Sequence, residues 1–207
     1  MSGGPALSSV DTSRISLSSV FLVLLLGLIW GSNWPAIRVS VLEISPWIFR
    51  TVCLAGGAST LIAICLVRGT SLRDPVREIF PLIMVSLLNV TAYHMFTAYG
   101  LIQMEAGRGT ILTFTFPLWS VLLGALILKE KITLARAFAL ALGVGALLLL
   151  IGADMQKVGR APVGSILMVG AAIVWACGTL LMKATEWSIG SIELAAWQLT
   201  IGFVPVC

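Results

Sequence analysis

Six apolar runs in succession, each about as long as a membrane is thick, constrain this chain more than any other feature. Uncharged stretches run from Ile15 to Ile37, Ile79 to Met104, Gly109 to Leu128, Ala137 to Ala153 and Ala161 to Met182, and a further run, Ile44 to Val67, is interrupted only by Arg50. A hydrocarbon core ~30 Å thick takes about 20 residues of helix, so each run predicts one span. A seventh run, Leu194 to Cys207, stops short of that length. The expectation is six complete transmembrane helices plus an incomplete seventh.

A composition of 58% hydrophobic and 11% charged residues lies outside the range of soluble domains. Lipid admits only helices and closed barrels, and these runs lack the alternation of barrel strands. The fold class is therefore an all-α polytopic membrane protein. Leu17 to Trp30 has a rival reading as a signal peptide, but only Arg14 supplies a basic start and no clear small-x-small cleavage site follows. Cys53, Cys65, Cys177 and Cys207 stand at no metal or redox spacing, so neither a metal nor another cofactor is expected. The net charge of +4 comes from residues in short loops with no interleaved aromatics, which argues against nucleic acid. The expected partners are a small-molecule substrate and membrane lipids, with a homo-oligomer or a second half-carrier chain as further options.

The basic residues instead set orientation. If loops alternate, one side carries Arg14, Arg68, Arg73, Arg77, Lys129, Lys131, Arg136 and Lys183, and the other only Arg38, Arg108, Lys157 and Arg160. The excess marks the cytoplasmic face and places the N-terminus inside. The expected location is the inner membrane of a bacterial cell.

Residues 1–16 read as a disordered cytoplasmic tail, 17–153 as a five-span unit, 154–164 as a linker and 165–207 as the start of a second unit, truncated. An internal echo supports the division. Trp30 and Arg38 are matched by Trp175 and Lys183, 145 residues later. An odd number of spans per unit makes the second copy run inverted, and inverted repeats are the architecture of alternating-access carriers.

The chain resembles the drug/metabolite transporter superfamily, in particular its EamA-type domain. The resemblance rests on Trp30-Gly31-Ser32-Asn33, Pro46 with Arg50, Phe116-Pro117-Leu118, Lys129-Glu130, Gly143 with Gly145, and Trp175. It implies a carrier of small metabolites with ten spans in two inverted five-helix repeats, of which this chain would hold one repeat and the beginning of the next.

Within the third run, Ser86, Asn89, Tyr93, Thr97 and Gly100 share about a quarter of a helix circumference, a polar stripe that must face protein or water. It reads either as cavity lining or as helix-to-helix glue. His94 beside it is the only histidine, a candidate proton carrier or a neutral ring bonded to a nearby carbonyl. Arg50 could snorkel to the headgroups or face a cavity and pair a substrate carboxylate. Trp30, Trp175 and Asn33 could wall the cavity. The candidate substrate-binding residues are thus Trp30, Asn33, Arg50, Asn89, Tyr93, His94, Thr97 and Trp175. With one histidine and no deep carboxylate in a complete span, no catalysis is expected. The alternative function is a non-transporting membrane scaffold, or an inactive fragment.

Overall fold

A computed structural model describes residues 17–70, 76–127, 129, 133–158 and 163–207. The expected tail 1–16, Arg73, Glu130, Lys131 and residues 159–162 of the expected linker lie outside the described residues. Every regular element among the described residues is helical. The elements are α1 (Leu17–Glu43), α2 (Pro46–Val67), α3 (Ile79–Gln103), α4 (Ala106–Ile127), α5 (Leu134–Val158), α6 (Val163–Ala184) and α7 (Ser191–Phe203). Of these, α1, α2, α3, α4 and α6 are long and apolar enough to cross a membrane; α5 carries the shorter apolar stretch Leu134–Leu149, and α7 with the 3-10 turn that follows it forms another, Ser191–Val206. The protein is an all-α, multi-pass membrane protein.

Local chemistry sets the helix ends. Pro46 opens α2, where its missing N–H is no loss and its fixed φ suits the first turn. At the other end Gly69 adopts φ +64°, its N–H bonds Leu66 O at 3.0 Å, and the N–H of Thr70 bonds Cys65 O at 2.9 Å. That left-handed glycine stop ties off two carbonyls that the helix cannot use. α7 begins with the Gly190 N–H donating to Glu193 Oε2 at 2.9 Å, which buries that carboxylate as a cap.

Two spans are irregular in their middle. α3 consists of α-helical Ile79–Ser86 and Tyr93–Gln103 joined through a π-helical turn, Leu87–Ala92. α4 breaks between Thr113 and Phe116, where Thr115 N–H bonds Leu112 O at 3.2 Å and Leu118 N–H bonds Thr115 O at 2.9 Å, both in tightened three-residue register. Pro117 explains the break, because it donates no N–H and its ring would collide with the carbonyl four residues earlier.

The chain forms two compact units, Met1–Asn33 and Trp34–Cys207. The described part of the first is the opening stretch of α1, whose Phe21, Leu22, Val23 and Leu24 are all exposed. In the second unit, α6 packs along α3 and α4, while α7 packs along α2 and α3. Lipid removes most of the hydrophobic gain from such contacts, so close packing must supply the attraction. Gly100 and Gly164 show how: a Cβ at Gly164 would stand 2.8 Å from Gln103 Cβ and 3.4 Å from Gly100 O, so α3 and α6 approach backbone to backbone. Around this crossing, Trp34, Ile37 and Val41 from the end of α1 join Ala98, Leu101, Leu112, Leu147 and Met168 in one buried cluster. Arg38 locks the same end, its Nη1 donating to the carbonyls of Leu101 and Met104 at the close of α3.

Candidate functional site

Helix α3 carries three of the candidate residues as successive rungs, and a different neighbour meets each. At Thr97 the neighbour is Arg50 of α2. Its guanidinium is only 5% exposed and Nη2 donates to Thr97 Oγ1 at 3.0 Å. Thr97 can accept because its own proton is directed along α3, to Tyr93 O at 2.9 Å with His94 O at 3.1 Å. The Arg50 Nε has no hydrogen-bond partner, and among the described residues no carboxylate pairs with it. The side chain turns inward to α3.

At Tyr93 the neighbour is Trp175 of α6, with ring centroids 4.6 Å apart and planes tilted by 51°. The His94 ring meets Tyr93 edge-on at 5.4 Å. His94 Nδ1 lies 2.7 Å from Val90 O. A carbonyl only accepts, so Nδ1 carries the proton and donates it.

At Asn89 the neighbour is Gly178, one helical turn beyond Trp175 on α6. A Cβ at Gly178 would fall on the Asn89 amide, so glycine is what allows this side chain to lie between the helices. Asn89 is 5% exposed, its Oδ1 has no partner, and no hydrogen bond forms to its amide among the described residues. The residue lies inside the π-helical turn of α3. Such turns are uncommon and concentrate at functional sites, since the extra residue misaligns the backbone ladder.

Arg50, Asn89, Tyr93, His94, Thr97 and Trp175 therefore gather along the interface of α3 with α2 and α6. Trp30, 58% exposed, and Asn33 belong to the first unit, on open faces of α1. The rest of the polar stripe is less available: Ser86 Oγ donates to its own helix at Leu82 O, 2.7 Å away, and Gly100 serves the α6 crossing. Sequence reasoning missed Gly178, for which the only signal was a small residue three positions after Trp175. It also missed the π-helical turn, which has no recognised sequence signature. A separate apolar cavity of about 250 Å³ opens at the α4 break, lined by residues such as Phe114, Pro117, Leu118 and Gly143.

Comparison with known proteins agrees with this architecture. Residues 17–152 match the model of the EamA-like transporter family. The chain is 30% identical over 199 residues to the uncharacterized transporter YvbV of Bacillus subtilis, covering 96% of this chain and 63% of that protein. It is 27% identical to the uncharacterized transporter YoaV of the same organism, covering 86% of this chain and 61% of that protein. A probable amino-acid metabolite efflux pump of Salmonella typhimurium is 25% identical, with 89% of this chain and 61% of that protein covered. The chain spans less than two thirds of the length of these relatives. It belongs to the EamA-like transporter family.

Proposed function

We propose that this chain supplies the first repeat, and the opening helices of the second, of an alternating-access carrier for small carboxylate-bearing metabolites. In this reading the N-terminus is cytoplasmic and the protein lies in the inner membrane. The observation that carries the proposal is Arg50: a buried cation with a free Nε and no carboxylate partner among the described residues. A charge in a membrane bundle is expensive, costing about 2.5–3.5 kcal/mol at a span centre on insertion scales, and such residues pair or mark a substrate path. With no carboxylate partner among the described residues, a substrate carboxylate is the natural counter-charge, and a guanidinium binds it through parallel hydrogen bonds.

Two further features support the reading. The 145-residue offset that relates Trp30 to Trp175 also relates Pro46 to Ser191, the residues that open α2 and α7. The similarity to a probable amino-acid metabolite efflux pump fits a substrate with a carboxylate. The scaffold alternative draws support from the bonds of Thr51 Oγ1 to Val206 O and Thr91 Oγ1 to Gly202 O, which join helices without lining anything.

Single cysteines separate the two. In a variant lacking Cys53, Cys65, Cys177 and Cys207, the carrier predicts that Tyr93→Cys and Asn89→Cys react with a membrane-impermeant thiol reagent, and that benzoate slows the reaction. Inert cysteines at both positions would transfer support to the scaffold.

A further inference from the structure

We infer that the site accepts elongated, flat organic anions that carry a hydroxyl or amine at the end opposite the carboxylate, and that the Asn89 amide reads that far group. This inference rests on the carrier proposal and deepens it.

The two unsatisfied polar groups of the site stand at opposite ends of one ladder. Arg50, with its free Nε, is held at the Thr97 rung, and the unbonded Asn89 amide sits at the other end. Thr97 and Asn89 are eight residues apart on α3, at most about 12 Å along the axis at ~1.5 Å per α-helical residue, since the π-helical turn Leu87–Ala92 takes up part of that stretch. Subtracting a hydrogen bond of about 2.9 Å at each end leaves at most roughly 6 Å between the polar ends of a ligand. That is the length of a benzene ring substituted at opposite corners, and too long for the adjacent amino and carboxylate groups of a simple amino acid. The middle rung suits a flat ring, because Tyr93 and Trp175 already form an aromatic pair there.

Asn89 suits the distal role for two reasons. Its amide is buried with no hydrogen-bond partner among the described residues, a state that leaves desolvation uncompensated until a ligand arrives. Its last torsion is also soft, so a modest rotation presents either the oxygen or the nitrogen to an incoming group. A hydroxyl, which both donates and accepts, satisfies either orientation.

The test is binding of radiolabelled 4-hydroxybenzoate to the purified protein, with competition by benzoate and by 4-hydroxybenzamide. Benzoate lacks the distal hydroxyl and 4-hydroxybenzamide lacks the charge. One satisfied hydrogen bond is worth about a tenfold change in affinity, so 4-hydroxybenzoate should bind about ten times more tightly than benzoate. The amide should compete far more weakly than either acid. Asn89→Leu should remove the preference, so that 4-hydroxybenzoate binds no more tightly than benzoate. Equal binding of the two acids to the unaltered protein overturns the inference without need of any variant, as does a tenfold preference that survives Asn89→Leu. In either of those cases, acid binding that Arg50→Gln abolishes leaves the carboxylate site standing. If neither acid binds, the carboxylate reading of Arg50 falls as well.

Discussion

Replacing Arg50 by methionine should make the protein more stable while removing anion binding. Methionine keeps most of the length of the side chain and discards the charge. The native residue sits on the second turn of α2, 5% exposed, with a single side-chain hydrogen bond to Thr97. A hydrogen bond between membrane helices is worth about 0.6 kcal/mol on average and at most about 1.7. Against this stands the charge, which costs about 2.5–3.5 kcal/mol at a span centre and less nearer the end. Loss of Arg50 leaves no orphan behind, because the Thr97 hydroxyl still donates to Tyr93 O. The balance favours the variant by about 1–2 kcal/mol, and for a chain of this size each kcal/mol is worth about 2–4 °C in Tm.

The assay is a thermal scan of the purified protein in detergent, followed by intrinsic fluorescence, alongside binding of labelled benzoate. The expected result is a melting temperature raised by several degrees and benzoate binding lost. A drop of several degrees would refute the reasoning, since Arg50 would then be a structural tie whose removal loosens α2 from α3.

Two other substitutions probe the frame around the site. Gly178→Ala places a methyl group on the Asn89 amide and should cost about 1–3 kcal/mol by overpacking, whereas Gly56→Ala, with nothing within 4 Å of the new Cβ, should melt with the unaltered protein. Combining Gly178→Ala with Asn89→Ala should recover most of the loss, and additive costs in that cycle would show that the two residues do not touch. Arg38→Ala frees the carbonyls of Leu101 and Met104 and should cost about 1–3 kcal/mol, with faster amide hydrogen exchange confined to the last turn of α3 and the start of α4. Unchanged exchange there would show that the clamp does not hold that end of the helix.

Much of the fold was legible because a bilayer leaves few solutions. Apolar runs of span length had to be helices, and α2, α3, α4 and α6 each begin and end within a few residues of a run, while α1 continues past its run to Glu43. The candidate site was legible one residue at a time. A polar stripe at helical spacing brought out Asn89, Tyr93 and Thr97, and an isolated charge brought out Arg50. Their partners were not legible, because contact between helices depends on how each is rotated and how closely they approach. The pairing of Asn89 with Gly178 requires both the π-helical turn of α3 and a bare backbone on α6, and neither has a periodicity to detect. Pro117 was visible, but not the form of its effect: the proline stops the first half of α4 at Thr113 and restarts it at Phe116.

The departures from local regularity within the second unit also bear on why the site exists. A bundle built only for packing would keep α3 in α-helical register, place an apolar residue at position 50 and avoid an amide without a partner at position 89. Each of those changes would remove a cost: the desolvated charge, the unbonded Asn89 amide and the misaligned backbone turn. All three costs fall on the same three-helix interface, with the Tyr93 and Trp175 rings between the charge and the amide. Consistency across levels is what makes a sequence fold, so several violations in one place identify where a different demand has prevailed. A ligand that brings its own carboxylate and its own distal hydroxyl would compensate two of the three costs at once.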